Sequence, residues 1–205
     1  MKSSMIGAAA AALAATAGAQ VVDFTFDTVG APPAGWACGV TGRGSPKWDV
    51  SADPDIKGNV LLQSGSGTFP WCVRTGTSVT DGSVETTFKP ISGREDRAGG
   101  VVWRWKDGDN YYVARANALE NNVSLYYTER GSRKTLKYVD APVASGTWHT
   151  LKVEFTGTHI VVILDGKRYI EMDDAHISGA GAVGVWTKAD SVTAFRSFTY
   201  STAGR

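Results

Sequence analysis

The sequence lacks an excess of charge of either sign, since its 205 residues include 21 lysines and arginines against 20 aspartates and glutamates. Binding to a nucleic-acid backbone depends on a basic surplus, so the balance argues against nucleic acid as a partner. After residue 19, no stretch reaches the roughly 18 apolar residues that a membrane-spanning helix needs. We therefore expect no membrane span, and the length fits one domain of ordinary size.

No window shows the hydrophobic period of a helix, whereas glycine is abundant at 24 residues and the aromatics comprise 7 Trp, 7 Tyr and 7 Phe. This composition is typical of short strands joined by tight turns. About fourteen strand-like runs follow one another, separated by clusters of Gly, Pro, Asp and Ser. Gly166 and Lys167 are predicted to join two of these runs as a hairpin. Without crossover helices, the chain is expected to form an all-β sandwich or jelly roll.

Residues 1–19 differ from the rest of the chain. Lys2 gives a positive start, residues 5–15 are apolar and rich in alanine, and Ala17-Gly18-Ala19 has the small-x-small pattern of a signal peptidase site. We expect a signal peptide that is cleaved after Ala19, which leaves residues 20–205 as a single secreted or periplasmic domain. The alternative is an alanine-rich helix that belongs to the fold.

Cysteine is scarce, with Cys38 and Cys72 as the only two. In an oxidising compartment an isolated pair usually forms a disulfide. Such a bond would stabilise the fold by about 3 to 4 kcal/mol in the chain-entropy model. Two buried free thiols are the alternative, because a domain of this size can fold without a cross-link.

A predicted hairpin around residues 106–109 indicates which side chains share a face. With Asp107 and Gly108 at the turn, alternation along the strands gives one face Val102, Arg104, Tyr111, Val113, Arg115 and Asn117. The other face is largely apolar and is expected to contact the core; it carries Val101, Trp103, Trp105, Tyr112, Ala114 and Ala116. The next strand would extend the first face with Ser124, Tyr126 and Thr128.

The first face is expected to meet water or a ligand, because it presents fixed hydrogen-bond donors together with flat rings, as sugar recognition requires. A later strand adds an indole and an ammonium group. The candidate ligand-binding residues are Arg104, Tyr111, Arg115, Asn117, Tyr126, Trp186 and Lys188. The alternative is that these side chains only solvate and stiffen a sheet.

Metal sites and catalytic motifs have weak signals. Three histidines are scattered rather than set at metal-ligand spacing: His149, His159 and His176. Residues 107–110 resemble a calcium loop only superficially and are better explained as a hairpin turn. We therefore expect no cofactor and no metal, with a structural calcium ion held by other loop carboxylates left open. Glu171 and Asp173 would share a strand face at roughly the spacing of a retaining glycosidase pair, but a charged strand end explains them better.

Four segments carry a family resemblance. Residues 99–105 (GGVVWRW) and 109–117 (DNYYVARAN) resemble the central hairpin of the 3-keto-disaccharide hydrolase-like family, and residues 148–153 and 184–191 are similar to its later strands. The similarity spans nearly all of the chain after residue 19. It implies a concanavalin A-like, laminin-G-like jelly roll of two antiparallel sheets, related loosely to glycoside hydrolases.

Three classes of function follow from these observations. The leading hypothesis is a secreted sandwich that binds carbohydrate on one sheet face. The second is a glycoside hydrolase that acts on 3-keto-disaccharides or similar small glycosides, with catalytic residues that the sequence does not identify. The third is a structural or partner-binding module, which would expose an apolar patch in place of a polar groove. We expect carbohydrate as the partner and a monomeric chain.

Overall fold

The computed structural model describes residues 18–203, so residues 1–17 of the predicted signal peptide lie outside it. The regular elements of the described residues are fifteen β-strands: β1 (Gln20–Asp23), β2 (Trp36–Ser45), β3 (Trp48–Asp53), β4 (Gly58–Gln63), β5 (Ser66–Arg74), β6 (Gly82–Ser92), β7 (Ala98–Asp107), β8 (Asn110–Asn117), β9 (Asn122–Glu129), β10 (Ser132–Asp140), β11 (His149–Thr156), β12 (His159–Leu164), β13 (Lys167–Asp173), β14 (Ala182–Trp186) and β15 (Val192–Thr202). Across residues 18–203, no helix is long and apolar enough to cross a membrane.

The strands form two antiparallel sheets. One sheet has the order β10-β9-β8-β7-β14-β5-β2, and the other has the order β13-β12-β11-β6-β15-β4-β3, with β1 also paired to β15. Side chains from both sheets fill the core between them; for example, the rings of Trp103 on β7 and Phe155 on β11 stack with centroids 5.9 Å apart. The predicted all-β sandwich of two antiparallel sheets is confirmed.

Two hairpins use turns in which both central residues have positive φ. Asp165 and Gly166 connect β12 to β13 with φ values of 50° and 77°, and Arg130 and Gly131 connect β9 to β10 with values of 51° and 74°. This is the conformation of the type I′ turn, whose twist matches that of the flanking strands. The hairpin predicted at Gly166 is therefore confirmed, with its turn one residue earlier in the chain.

The strand β2 is not among the runs that the sequence predicts. Its glycines are typical of turns, and Gly42 and Gly44 have φ values of 87° and 122°. They belong to a bulge, where the register with β5 shifts between Thr41 and Gly44. On the regular side of that bulge Cys38 lies opposite Cys72, and the two form the predicted disulfide.

The prediction that Arg104 shares a face with Tyr111 is wrong, because β7 is irregular just before its hairpin. The register between β7 and β8 shifts after Trp103, and Arg104 has a φ of 46°. This distortion turns Arg104 toward the other sheet, where its guanidinium carbon lies 5.7 Å from the ring centroid of Phe155. The buried guanidinium donates hydrogen bonds to the carbonyl oxygens of Thr80, Ile177 and Gly157.

The same irregularity moves Trp105 in the opposite direction. Trp105 is predicted to face the core with Trp103, but its ring packs on Trp71 outside the core, with centroids 5.2 Å apart. The other core predictions for this hairpin are confirmed, since the remaining apolar side chains of that face are fully buried between the sheets: Val101, Trp103, Tyr112, Ala114 and Ala116.

Candidate functional site

The seven-stranded sheet is strongly curved. The hydroxyl groups of Thr41 on β2 and Tyr111 on β8 are hydrogen-bonded at 2.8 Å. These strands are four positions apart in the sheet, which corresponds to about 19 Å in a flat one. The face that carries Thr41 and Tyr111 is therefore concave, and it is the face turned away from the other sheet.

Much of this concave face is filled by a second apolar cluster. Its fully packed members are each less than 5% exposed: Val73, Val102, Tyr111, Val113, Tyr126 and Trp186. Half-buried side chains lie over them: Phe69, Trp71, Trp105 and Ala182. The face is expected to meet water or a ligand, but these six side chains are buried in the cluster instead. Sheet curvature brings aromatic side chains of distant strands together and covers this face.

Two glycines give the indole of Trp71 its place in this cluster. A Cβ atom added at Gly39 would lie 2.7 Å from the ring of Trp71, and one added at Gly108 would lie 3.0 Å from it. Real Cβ contacts are rarely so short, so a side chain at either position would displace the indole. These glycines allow β2 and the β7–β8 turn to close over one end of the concave face.

Arg133 lies at the other end of the concave face. The β9–β10 hairpin pairs Arg133 with Thr128 and so places both on this face. Its guanidinium carbon lies 4.2 Å from the ring centroid of Tyr126, 4.5 Å from that of Phe69 and 5.7 Å from that of Trp186. The Nη1 atom is buried and, within residues 18–203, has no hydrogen-bond partner. Burial lowers the pKa of this guanidinium, which an arginine tolerates without losing its charge.

Arg115, by contrast, is enclosed in a network of ion pairs. Its guanidinium lies 3.2 Å from the carboxylate of Asp96 and 2.6 Å from that of Glu120. Asp96 also pairs with Lys188 at 2.6 Å. Burial acts to raise the pKa of Glu120, but the hydrogen bond from Asn122 and the charge of Arg115 outweigh it, so the pKa lies below its usual value. The charge of Arg115 is therefore already balanced by its neighbours.

Asn117 is fully buried at the end of β8 and stabilises a turn. Its Oδ1 atom accepts a hydrogen bond of 3.0 Å from the backbone N–H of Leu119. This is the local role that asparagine commonly has where a strand ends. Asn117 lies on the predicted face of β8, two residues after Arg115. Its side-chain oxygen, however, is already hydrogen-bonded to a backbone N–H group.

An open cavity of about 380 Å³ lies beside Arg133. Its walls come from the β2 bulge, β5, the β6–β7 loop, β10 and the segment after β14. The charged, hydroxyl and aromatic side chains that form it include Arg43, Thr68, Phe69, Glu95, Arg133 and Lys188. Phe69 is half-buried, and its ring stacks on Trp186 at 5.7 Å, so the cavity has a fixed aromatic wall.

The loop that carries Glu95 is held by a single carboxylate. Asp190 accepts hydrogen bonds from the backbone N–H groups of Arg94 at 2.7 Å and of Glu95 and Asp96 at 3.0 Å each. Burial acts to raise the pKa of Asp190, but these three donors outweigh it and leave the pKa below its usual value. Asp190 thereby places Glu95 at the cavity and Asp96 behind it, under Lys188.

The structure brings six of the seven predicted ligand-binding residues to the concave face. Lys188 lines the cavity directly, and Tyr126 and Trp186 form the layer beneath Arg133 and Phe69. The remaining three on this face are buried, namely Tyr111, Arg115 and Asn117. Arg104 lies on the opposite face. A role in ligand binding stays a prediction for each of the six.

Sequence reasoning missed several residues of the cavity: Arg43, Phe69, Glu95 and Arg133. For Arg133 a signal was present. The sequence Arg130-Gly131 fits a two-residue hairpin turn, and such a turn places Arg133 opposite Thr128. Both side chains then lie on the same face of the sheet as Tyr126. For Phe69 and Glu95 no comparable signal exists. Sheet curvature brings Phe69 to the cavity, and the conformation of the β6–β7 loop brings Glu95 to it.

Neither a metal cluster nor a calcium-type loop is visible in the described residues. Among residues 18–203, no three His, Cys, Asp or Glu side chains form a group suited to a metal ion. Residues 107–110 form the β7–β8 turn, in which Asp107 Oδ1 accepts hydrogen bonds of 2.8 Å from the backbone N–H of Asp109 and from the side chain of Asn110.

Solved structures with the same architecture include proteins named for carbohydrate. A carbohydrate-binding module, CBM66 from Bacillus subtilis, superposes with a TM-score of 0.69 at 20% identity, covering 86% of this chain and 99% of its own. The chain is a jelly-roll β-sandwich. A GH16 protein of the Bacteroides ovatus mixed linkage glucan PUL, in complex with a product, superposes with a TM-score of 0.61 at 11% identity. The match covers 88% of this chain and 99% of the GH16 chain. A Bacillus subtilis protein of unknown function with a galectin-like fold superposes with a TM-score of 0.57 at 15% identity. The match covers 83% of this chain and 90% of that protein.

At these identities the likeness concerns the fold. No protein-family model matches the sequence, and the search of curated proteins finds no match. The predicted jelly roll of two antiparallel sheets is thus confirmed, whereas the concanavalin A-like assignment and membership of the 3-keto-disaccharide hydrolase-like family stay predictions.

Proposed function

We propose that this protein binds carbohydrate, and that the glycan lies in the cavity beside Arg133 and Phe69. The observation that carries the proposal is the combination of an aromatic wall with a guanidinium that forms no ion pair with a carboxylate of the described residues. The jelly-roll neighbours support it, because they include a carbohydrate-binding module and a GH16 protein with a bound product.

The cavity offers both kinds of contact that a sugar ring needs. The apolar face of a sugar packs against a flat ring, and Phe69 is held in place for this by its stacking on Trp186. Around the ring lie the cationic donors of Arg133 and Lys188. Such donors bind sugar hydroxyl oxygens in a fixed geometry.

Binding fits the cavity better than hydrolysis does. Glycoside hydrolysis commonly uses two carboxyl groups on either side of the scissile bond. Among the described residues that line the cavity, Glu95 is the only acid, and the adjacent Asp96 is fully buried and paired with two cations. Glu171 and Asp173, the pair weighed from the sequence, lie on β13 at the edge of the other sheet, where Glu171 pairs with Arg168.

We also propose that the chain is exported and acts as a monomer. The Cys38–Cys72 disulfide supports export, because such bonds persist in oxidising compartments. The signal-like residues 1–19 point the same way. A periplasmic or secreted location is compatible with a glycan as ligand.

A glycan array followed by titration calorimetry tests the proposal. Phe69→Ala should weaken binding of any glycan found by about tenfold, because it removes the aromatic wall. Phe26→Ala is the matched control, since Phe26 is 99% exposed and lies outside the cavity. Phe69→Ala should melt somewhat below the wild type, because Phe69 is half-buried and packs on Trp186, whereas Phe26→Ala should melt close to it; both curves show that the variants are folded.

Two results would overturn the proposal. One is a wild-type protein that binds no glycan, and the other is a Phe69→Ala variant that binds as tightly as the Phe26→Ala control. Release of product from a 3-keto-disaccharide by the wild type would favour the hydrolase hypothesis instead.

A further inference from the structure

We infer that the glycan is acidic, and that a sugar carboxylate pairs with the guanidinium of Arg133. The inference rests on the proposed glycan binding and names the class of sugar. It follows from the balance of charges under the cavity and from the way Arg133 is held.

The charges beneath and around the cavity do not cancel, although only Arg115 and Asp96 among them are fully buried. Arg115, Arg133 and Lys188 bring three positive charges, whereas Asp96 and Glu120 bring two negative ones. Asp96 is shared between Arg115 and Lys188, and Glu120 pairs with Arg115. The charge left over belongs to Arg133. A charge removed from water is costly unless a partner of opposite sign is supplied.

Within the described residues, the contacts of Arg133 are with aromatic rings rather than with hydrogen-bond acceptors. Tyr126 and Phe69 lie within 4.5 Å of its central carbon, in the positions of cation–π partners. Such contacts leave the donors at the edge of the group unused, and Nη1 has no partner within the described residues. A carboxylate accepts two parallel N–H bonds from this edge, which is the geometry that arginine recognises best.

The rim of the cavity does not oppose an acidic ligand. Arg43 and Glu95 are exposed there and carry opposite charges, so their long-range effects largely cancel. Lys188 adds an ammonium group to the wall, although its charge is balanced by Asp96. The attraction for an anion thus comes mainly from Arg133.

The experiment compares acidic oligosaccharides with their neutral methyl esters, for which oligogalacturonates, oligoalginates and hyaluronan fragments serve as probes. Each pair has the same sugar chain and differs in the carboxylate charge. The wild type should bind at least one acid about tenfold or more tightly than its ester, and higher ionic strength should reduce the difference.

Variants then assign the effect to Arg133. Arg133→Met should bind acid and ester equally, and Arg133→Lys should restore part of the preference, since lysine keeps the charge but lacks the planar fork. Lys134→Met is the matched control, because Lys134 is the next residue on β10, points to the opposite face and is exposed. It should keep the full preference. Melting curves show that the variants are folded.

The outcomes separate this inference from the proposed function. A wild type that binds neutral glycans, or binds every acid no more tightly than its ester, overturns the acidic ligand and leaves glycan binding standing. A preference that survives Arg133→Met overturns the role of Arg133. A protein that binds no glycan of either kind overturns both.

Discussion

The guanidinium carbon of Arg133 on β10 lies 4.5 Å from the ring centroid of Phe69 on β5, although five positions separate these strands in the sheet. In a flat sheet that separation would be about 24 Å. The curvature of the seven-stranded sheet therefore assembles the cavity from residues near its two edges. Substitutions that change the curvature should alter ligand affinity even where they do not touch the cavity.

Arg115→Ala should destabilise the protein rather than merely weaken binding. Arg115 is 2% exposed, and its loss leaves Asp96 with Lys188 alone and leaves Glu120 without its cation. Breaking a buried ion pair by removing one partner costs about 3 to 5 kcal/mol. Urea unfolding measures the loss; a variant as stable as the wild type would show that the network contributes little.

Trp103→Ala should cost about 3 to 5 kcal/mol of unfolding free energy, because it opens a cavity between the sheets. The indole is fully buried and stacks on Tyr112 at 5.3 Å and on Phe155 at 5.9 Å. Val29→Ala, at a position that is 56% exposed, is the control and should change stability little. Denaturant titration of the two variants decides the matter; similar losses in both would contradict the core assignment.

Replacement of Cys38 and Cys72 together by serine should lower the unfolding free energy by about 3 to 4 kcal/mol in the chain-entropy model. The bond closes a separation of 34 residues between β2 and β5. Unfolding of the double variant and of the oxidised wild type in guanidinium chloride gives the difference in unfolding free energy. Alkylation of both thiols in the folded, oxidised wild type would refute the bond itself.

Asp190 should make the protein lose stability in acid. Its folded pKa lies below its usual value, so its contribution is fully present above the unfolded pKa of about 4 and is lost as the pH falls through the lower folded value. Asp190→Asn should therefore show a smaller fall in Tm between about pH 5 and pH 2 than the wild type. Asp140→Asn, at an exposed position, is the control and should keep the wild-type profile.

The exported protein should begin at Gln20, because Ala17-Gly18-Ala19 fits the signal peptidase pattern. Gln20 is also the first residue of β1, which pairs with β15 from this residue onward. Intact-mass analysis of the secreted form tests the prediction. A mature chain that retains residues 1–19 would refute both the cleavage and the assignment of the domain to residues 20–205.

The sequence predicts most strands of this fold because turn residues and alternation are local signals. The strand β8 carries the alternation that the sequence predicts for residues 111–117, and the disulfide partners are the only cysteines of the sequence. The sequence does not reveal β2, since the glycines at positions 42 and 44 that mark its bulge are also the residues of turns. Local reasoning cannot distinguish a bulged strand from a loop when the deciding partner, β5, is distant in the chain.

The candidate site was harder to predict because it depends on two features that alternation does not contain. One is the irregularity at Arg104, which exchanges the faces of Arg104 and Trp105 relative to a regular strand. The other is sheet curvature, which buries Tyr111 and Trp186 and brings Phe69 to Arg133. Alternation nevertheless assigned the faces of Arg115, Asn117 and Tyr126 correctly, because β8 and β9 pair without interruption.

The bulge in β2 has a consequence for encounters between copies of the chain. The strand β2 is an outer strand of its sheet, and an outer strand offers backbone N–H and C=O groups to which a neighbouring molecule can add a strand. Gly42 and Gly44 interrupt that row, and the extra residue between Thr41 and Gly44 bends it. The bulge therefore disfavours edge-to-edge pairing of two copies at β2.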